Sequence, residues 1–166
     1  MRYWAISVKQ PWAALIASGK KTVEVRRWPT AYRGPVLIHA ARVPDTREVG
    51  WSRLPEDVRE LAKLSGGIIG LGVLADCKPY TNLDSFSADQ AQHWNAPEWF
   101  DPRGLYGLAI RYAIALPFRR CPGQVRLFRV ELQHVHPENS LVPTPHPRHL
   151  GRRSGKSRAP RNPCKE

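Results

Sequence analysis

The stretch that decides the fold of this chain is Gly19-Lys20-Lys21-Thr22-Val23-Glu24-Val25-Arg26. Alternation with a period of two predicts a strand from Thr22 to Arg26, with Glu24 and Arg26 on one face and the valines on the other. Charged side chains leave water only when they are paired or bound to a ligand. We therefore expect Lys21, Glu24 and Arg26 to form the floor of a charged cleft.

A short helix is predicted directly before this strand. Pro11 is tolerated in the first turn of a helix, and we expect the helix to run to about Ala17. Trp12 begins an apolar stripe with helical spacing along this segment. Gly19 can adopt the left-handed conformation that ends a helix. The chain is therefore expected to turn at Gly19 and to enter the charged strand at once.

Outside this region the pattern predicts several strands and few helices. Strands are expected at residues 5–8, 35–41, 68–75, 105–116 and 125–132, an amphipathic helix at 54–64, and short helical turns near 85–92. Strands do not alternate regularly with helices, which favours a small β-barrel or another α+β fold over a parallel α/β sheet. His39 falls within a strand that is expected to be buried, so it needs a hydrogen-bond partner.

Composition indicates one basic domain and a basic tail. The 166 residues include 26 Lys and Arg against 14 Asp and Glu, a net charge of +12 that favours nucleic acid or another acidic partner. The stretch 137–166 is rich in proline and arginine, so we expect a folded domain at 1–136 and a flexible tail at 137–166. The tail carries a net charge of +5, which leaves +7 on the domain.

Cysteine usage and hydropathy favour the cytoplasm. The three cysteines form no CxxC pair, which argues against a disulfide framework and a zinc site. No apolar run approaches the roughly 18 residues of a membrane span, and the first residues are too polar for a signal peptide. We expect a cytoplasmic monomer without a metal, a cofactor or a membrane contact.

The pattern Gly19-x-Lys21-x-x-Glu24-x-Arg26 has Gln10-Pro11-Trp12-Ala13 before it and Trp28 and Arg33-Gly34 after it. Together these motifs resemble the ASCH (activating signal cointegrator homology) domain, in the type found at the C-terminus of a transcription coactivator. The likeness spans roughly residues 5–132. It implies an α+β fold, a small PUA-like β-barrel with flanking short helices. It also implies RNA or nucleotide ligands in a cleft lined by the motif residues.

The first functional hypothesis is a nucleic-acid-binding module that prefers RNA to DNA. Arg26 offers a planar fork to a phosphate or a base edge, and Lys21 offers a point charge. Glu24 orients both or accepts a hydrogen bond from a base amine. Trp28 is expected to stack on an unpaired base, whereas Trp12 fits core packing at least as well. The candidate binding residues are Gln10, Trp12, Lys20, Lys21, Glu24, Arg26, Arg27, Trp28 and Arg33. Arg27, Arg33, Arg42, Arg119, Arg120 and Arg126 are candidates for a phosphate-contacting rim.

Two other hypotheses stay open. The chain could be a hydrolase with Lys21, Glu24 and His39 as catalytic candidates, either a metal-independent ribonuclease or an enzyme that deacetylates N4-acetylcytidine. For the latter, the resemblance implies a lysine, which Lys21 matches, and a threonine, whose position holds Glu24. A carboxylate is a poor replacement for a hydroxyl nucleophile. The third hypothesis is a protein-interaction domain whose tail docks on an acidic protein.

Overall fold

Six strands form one mixed sheet in residues 1–132, the part of the chain that the computed structural model describes. They are β1 (Arg2–Val8), β2 (Val23–Arg26), β3 (Gly34–Ala40), β4 (Gly67–Tyr80), β5 (Leu105–Arg120) and β6 (Leu127–Glu131). Their order across the sheet is β2-β5-β4-β3-β1-β6, and the sheet does not close. β1 and β3 run parallel, and the other pairs are antiparallel. The predicted tail at 137–166 lies outside the described residues.

β4 and β5 form the longest ladder and extend well beyond the strands predicted at 68–75 and 105–116. Register shifts interrupt the pairing, so the two strands bend while they stay paired. β2 is short and covers only residues Tyr106 to Ala109 on the other side of β5. The rest of β5 therefore forms an outer edge of the sheet, judged by the pairing of the described strands.

Five short helices accompany the sheet in residues 1–132. They are α1 (Trp12–Ala17), α2 (Glu48–Ser52), α3 (Arg59–Ala62), α4 (Leu83–Ala88) and α5 (Gln90–His93), with 3₁₀ turns at Glu56–Val58 and Pro97–Trp99. None of these helices combines the length and the apolar character that crossing a membrane would require.

The continuous helix predicted at 54–64 is wrong, and α2 was not predicted. Pro55 remains extended, so helical structure begins only after it as a 3₁₀ turn. At the other end, the Gln10 amide donates to the carbonyl oxygens of Leu61 and Leu64 at 3.0 and 2.7 Å. Carbonyls at the end of a helix need such partners. This contact ties the end of α3 to Gln10, two residues before α1 begins.

α1 forms the centre of the core, because all six of its residues are buried. It packs directly on the sheet at Gly70, where an added Cβ would lie 2.7 Å from the Ala17 Cβ. Gly19, with φ +75°, ends this segment in the left-handed region as expected. The close approach explains why β4 carries glycine among its apolar residues, and it sets the direction in which the chain enters β2.

Candidate functional site

Three charged side chains meet at the start of β2. Lys21 Nζ lies 3.2 Å from Glu24 Oε2, and Arg26 Nη2 lies 3.0 Å from Glu24 Oε1. The side chains of Lys21, Glu24 and Arg26 are 1%, 11% and 25% exposed. The carboxylate is therefore shared by two cations, one below it in the core and one at the surface side.

The Lys21 ammonium faces the interior. Besides Glu24, it donates to the carbonyl oxygen of Val23 and, at 2.9 Å, to that of His93 at the end of α5. Burial lowers the pKa of Lys21 below its usual value, the Glu24 carboxylate opposes this shift, and Arg26 adds to it. Three acceptors surround the group, so it can hold Glu24 in place without reaching the surface.

Arg26 connects this buried network to an open pocket. Its Nη2 donates to the Ser7 carbonyl oxygen at 2.7 Å as well as pairing with Glu24. Its Nε is buried and finds no hydrogen-bond acceptor among the described residues. The guanidinium lines a pocket of about 610 Å³.

Charged and aromatic residues surround that pocket, which we call the Arg26 pocket. Its lining residues are Ser7, Val8, Lys9, Trp12, Glu24, Val25, Arg26, Trp28, Ala41, Asp45, Arg47, Gln124, Val125 and Arg126. Four of them are cationic and two are anionic, and both carboxylates already pair with a cation. The cations therefore outnumber the acids, which makes the pocket suited to an anion.

One wall of the Arg26 pocket was not predicted from the sequence motif around Lys21. Asp45 accepts from the Trp12 indole at 2.7 Å and from the Arg47 guanidinium, which stacks over the Trp99 ring at 3.8 Å. Burial alone would raise the pKa of the Asp45 carboxyl, but hydrogen bonds from Arg47 and Trp12 outweigh it and hold the pKa below its usual range. The acid thus stays ionised and fixes both the arginine and the indole.

Two smaller pockets adjoin the Arg26 pocket. One of about 450 Å³ shares Ser7, Lys9 and the 124–125 loop with it and adds His39 and Arg42. The other, of about 370 Å³, shares Arg26, Trp28 and Arg47 with it and adds Arg27, Asn95, Trp99 and Leu105. Each of the two shares lining residues with the Arg26 pocket, and we call the three adjoining pockets together the basic groove.

The remaining candidate residues lie elsewhere or act structurally. Gln10 is buried and clamps α3, and Lys20 pairs with Asp57 at 3.0 Å outside the three pockets. Arg33 contacts Asp76 and nearby carbonyls, also away from the groove. Trp12 is buried in the core and also lines the Arg26 pocket, so the core position and the cleft position considered for it both apply.

His39 is buried and has two partners. Its Nδ1 lies 3.0 Å from Ser7 Oγ, and its Nε2 lies 3.0 Å from the Cys121 carbonyl oxygen. Burial lowers the pKa of His39, and the bond to Cys121 opposes that shift. Nothing in the sequence pattern indicated Ser7, although its position in β1 faces β3 directly.

Comparison with known proteins gives consistent matches. The family model described as the ASCH domain matches residues 6–111. Activating signal cointegrator 1 of Homo sapiens is 31% identical over 121 residues, and that of Mus musculus 45%; in both cases the match covers 67% of this chain and 20% of the relative. This chain thus corresponds to about a fifth of those proteins.

Solved structures show the same fold. The crystal structure of ASCH from Zymomonas mobilis matches with a TM-score of 0.54 at 19% identity and covers 78% of this chain and 87% of that one. A structure of a variant of the same protein matches with a TM-score of 0.54 as well. The PUA-like α+β class expected from the sequence is confirmed, with the sheet open rather than closed into a barrel.

Proposed function

The chain belongs to the ASCH domain family, and from this premise we propose that it binds single-stranded nucleic acid, RNA in preference to DNA, in the basic groove. The observation that carries the proposal is the Arg26 pocket, where cations exceed acids and tryptophan rings share the walls. Sequence-independent binding of single strands combines these two elements, because cations follow the phosphates and aromatic rings stack on unpaired bases. The preference for RNA rests on the ligands that the family resemblance implied.

Each group then has a distinct role. Arg26 and Arg47 contact phosphates from the middle of the groove, and Trp28 stacks on a base between them. Lys21 and Glu24 act indirectly, because they fix the Arg26 guanidinium from below. The groove is longer than one pocket, which fits a chain of several nucleotides better than a single nucleotide.

The second part of the proposal concerns residues 137–166. We propose that residues 137–166 add sequence-independent attraction to a domain formed by residues 1–136, in a cytoplasmic monomer. An acidic protein is the alternative partner for the tail. Deleting 137–166 tests this point: if an acidic protein is the partner, the deletion abolishes binding to that protein, whereas groove variants leave it unchanged.

The groove itself is tested by fluorescence anisotropy with a labelled single-stranded RNA at several salt concentrations. Arg47→Ala is compared with Arg103→Ala, because Arg47 and Arg103 both bind an aspartate two residues earlier, and Arg103 lies outside the three pockets. We expect Arg47→Ala to weaken binding and to lower the slope of log K against log salt by about 1. Equal effects of both substitutions would refute the proposed groove.

The hydrolase hypotheses gain less support from this geometry. Both ring nitrogens of His39 are engaged, so the ring has no free site for a ribose 2′-hydroxyl, as a ribonuclease base requires. The Lys21 ammonium is enclosed by acceptors, and Glu24 stands between two cations. An activity through Lys21 or Glu24 would need a rearrangement of the buried network.

A further inference from the structure

Ser7 and His39 face each other across the parallel pair of β1 and β3. The register pairs the two residues directly, and the Ser7 hydroxyl lies 3.0 Å from His39 Nδ1. On the opposite side of the ring, Nε2 lies 3.0 Å from the Cys121 carbonyl oxygen. The ring is thus held between a hydroxyl and a main-chain carbonyl, each within hydrogen-bond distance.

This pair of contacts fixes the tautomer of the ring. A carbonyl oxygen can only accept, so the neutral ring carries its proton on Nε2 and donates it to Cys121. Nδ1 is then the basic nitrogen, and the Ser7 hydroxyl donates to it. A serine that donates to a histidine whose other nitrogen is oriented by a third group is the arrangement that activates a hydroxyl nucleophile. Cys121 supplies the third group through its main chain.

Ser7 is the more accessible residue of the pair, and His39 is enclosed. His39 is 1% exposed, whereas Ser7 is partly exposed and lines both the Arg26 pocket and the adjoining pocket of about 450 Å³. Gly123 covers the pair, and a Cβ there would lie 2.5 Å from His39 Cε1 and 3.1 Å from Ser7 Oγ. Any larger residue would displace the ring or fill the space beside the hydroxyl.

The protonation state of the ring agrees with this geometry. Burial lowers the pKa of His39 below its usual value, against the opposing bond to Cys121. At neutral pH the ring is therefore uncharged and able to accept a proton. Lys9 and Arg42 line the same adjoining pocket, so the charge near the hydroxyl is positive.

We propose that Ser7 is the nucleophile and His39 the general base of an acyl-transfer site that cleaves a carboxylic ester or amide bearing an anionic group. Lys9 and Arg42 hold the anionic group of the substrate, and the carbonyl carbon lies over Ser7 Oγ. This site lies in the part of the basic groove formed by the pocket of about 450 Å³, and the proposal does not depend on RNA binding.

The reaction has two balanced halves. Ser7 Oγ forms a bond to the carbonyl carbon as its proton moves to His39 Nδ1, and the π electron pair of the carbonyl shifts to oxygen. When this pair returns, the bond to the leaving alcohol or amine breaks, and the leaving group takes the proton from Nδ1. Water then attacks the acyl-Ser7 ester with His39 as base, which releases the carboxylic acid and restores the Ser7 hydroxyl.

A fluorophosphonate probe tests the activated hydroxyl on the full chain. The probe forms a stable ester with activated serines, and peptide mass spectrometry locates it. Ser18 is the matched control, because it is exposed and its hydroxyl donates to the Leu15 carbonyl oxygen rather than to a histidine. We expect labelling at Ser7 and not at Ser18 in the unaltered protein, together with a burst of p-nitrophenol from p-nitrophenyl acetate.

Two variants separate activation from folding. His39→Asn places an amide oxygen near the position of Nδ1, so it can keep the bond to Ser7 but cannot accept a proton. We expect it to lower the labelling rate of Ser7 by about 100-fold or more, the contribution of a general base. Ser7→Ala keeps the main-chain carbonyl that binds Arg26, so it should lose label and burst while the fold, followed by circular dichroism, is retained. Labelling of Ser7 at the Ser18 rate, or labelling that His39→Asn leaves unchanged, would overturn the proposal.

Discussion

Replacing Lys21 with methionine removes the buried cation of the site while keeping most of its volume. The ammonium is 1% exposed and donates to the carbonyl oxygens of Val23 and His93 as well as to Glu24. Methionine cannot donate, so the two carbonyls lose this partner inside the protein. Glu24 keeps only the Arg26 side of its pairing.

These losses determine how much the free energy of unfolding decreases. An unsatisfied buried polar group costs about 1 to 3 kcal/mol, and two carbonyls are affected. Breaking a buried ion pair by removing one partner costs about 3 to 5 kcal/mol in comparable sites. Because Arg26 still compensates Glu24, we expect the lower end, about 3 kcal/mol in the free energy of unfolding. With a slope of about 2 kcal/mol per M urea, the midpoint falls by about 1.5 M.

Urea unfolding followed by circular dichroism measures this change, with Lys20→Met as the matched control. Lys20 is the preceding residue, and its pair with Asp57 is exposed, with side chains 34% and 68% accessible. Exposed pairs contribute about 0 to 1 kcal/mol, so Lys20→Met should barely move the midpoint. If Lys21→Met costs no more than Lys20→Met at an unchanged slope, the inferred structural role of the buried ammonium is wrong.

Three further predictions concern the walls and supports of the site. Arg47→Ala removes the Arg47 hydrogen bonds that help to lower the Asp45 pKa. The carboxylate is then protonated at a higher pH as the solution is acidified, so the midpoint of acid unfolding should move to a higher pH. Gly50→Ala should destabilise the protein by about 1 to 3 kcal/mol and alter tryptophan fluorescence, because a Cβ there would lie 2.7 Å from Trp12 Cζ2. Asn82→Ala should cost about 1 kcal/mol in thermal unfolding, because the Asn82 side chain caps α4.

Matched controls distinguish these effects from general damage. Arg59→Ala also removes the partner of a carboxylate, Glu56, but both side chains of that pair are exposed, at 58% and 85%, and neither lines the Arg26 pocket. Its midpoint of acid unfolding should stay close to that of the unaltered protein. Gly66→Ala meets no atom within 4 Å, so it tests left-handed backbone strain alone, since Gly66 has φ +72°. A fluorescence change at Gly66→Ala as large as at Gly50→Ala would refute the proposed clash with Trp12.

The sequence was informative where local spacing decides the structure. The alternation in β2 placed Glu24 and Arg26 together, and Gly19 marked the end of α1. The composition also indicated a strand-rich fold with few helices. In these segments the contacts join residues that are only a few positions apart, so the spacing along the sequence is enough to predict them.

The missed features depend on long-range or main-chain contacts. Asp45 and Arg47 lie in one loop and Trp99 lies in another segment, and the fold alone brings both segments to Trp12. The buried Lys21 ammonium donates to the main-chain carbonyl oxygen of His93. Every residue has such an oxygen, so the identity of residue 93 does not predict this contact. Lysine is also rarely buried, which makes composition a misleading guide at this position.

Within residues 1–132, the side of β5 beyond β2 pairs with no other strand, and this has a consequence for solubility. Beyond Ala109, β2 no longer covers the strand, and Tyr112, Ile114 and Phe118 are exposed there at 83%, 56% and 42%. An uncovered strand with such side chains invites stacking with other chains into aggregates. Here Pro117 removes one amide donor, and the arginines at 111, 119 and 120 repel a like-charged copy. The same positive charge that suits the domain to an anion thus also keeps its molecules apart.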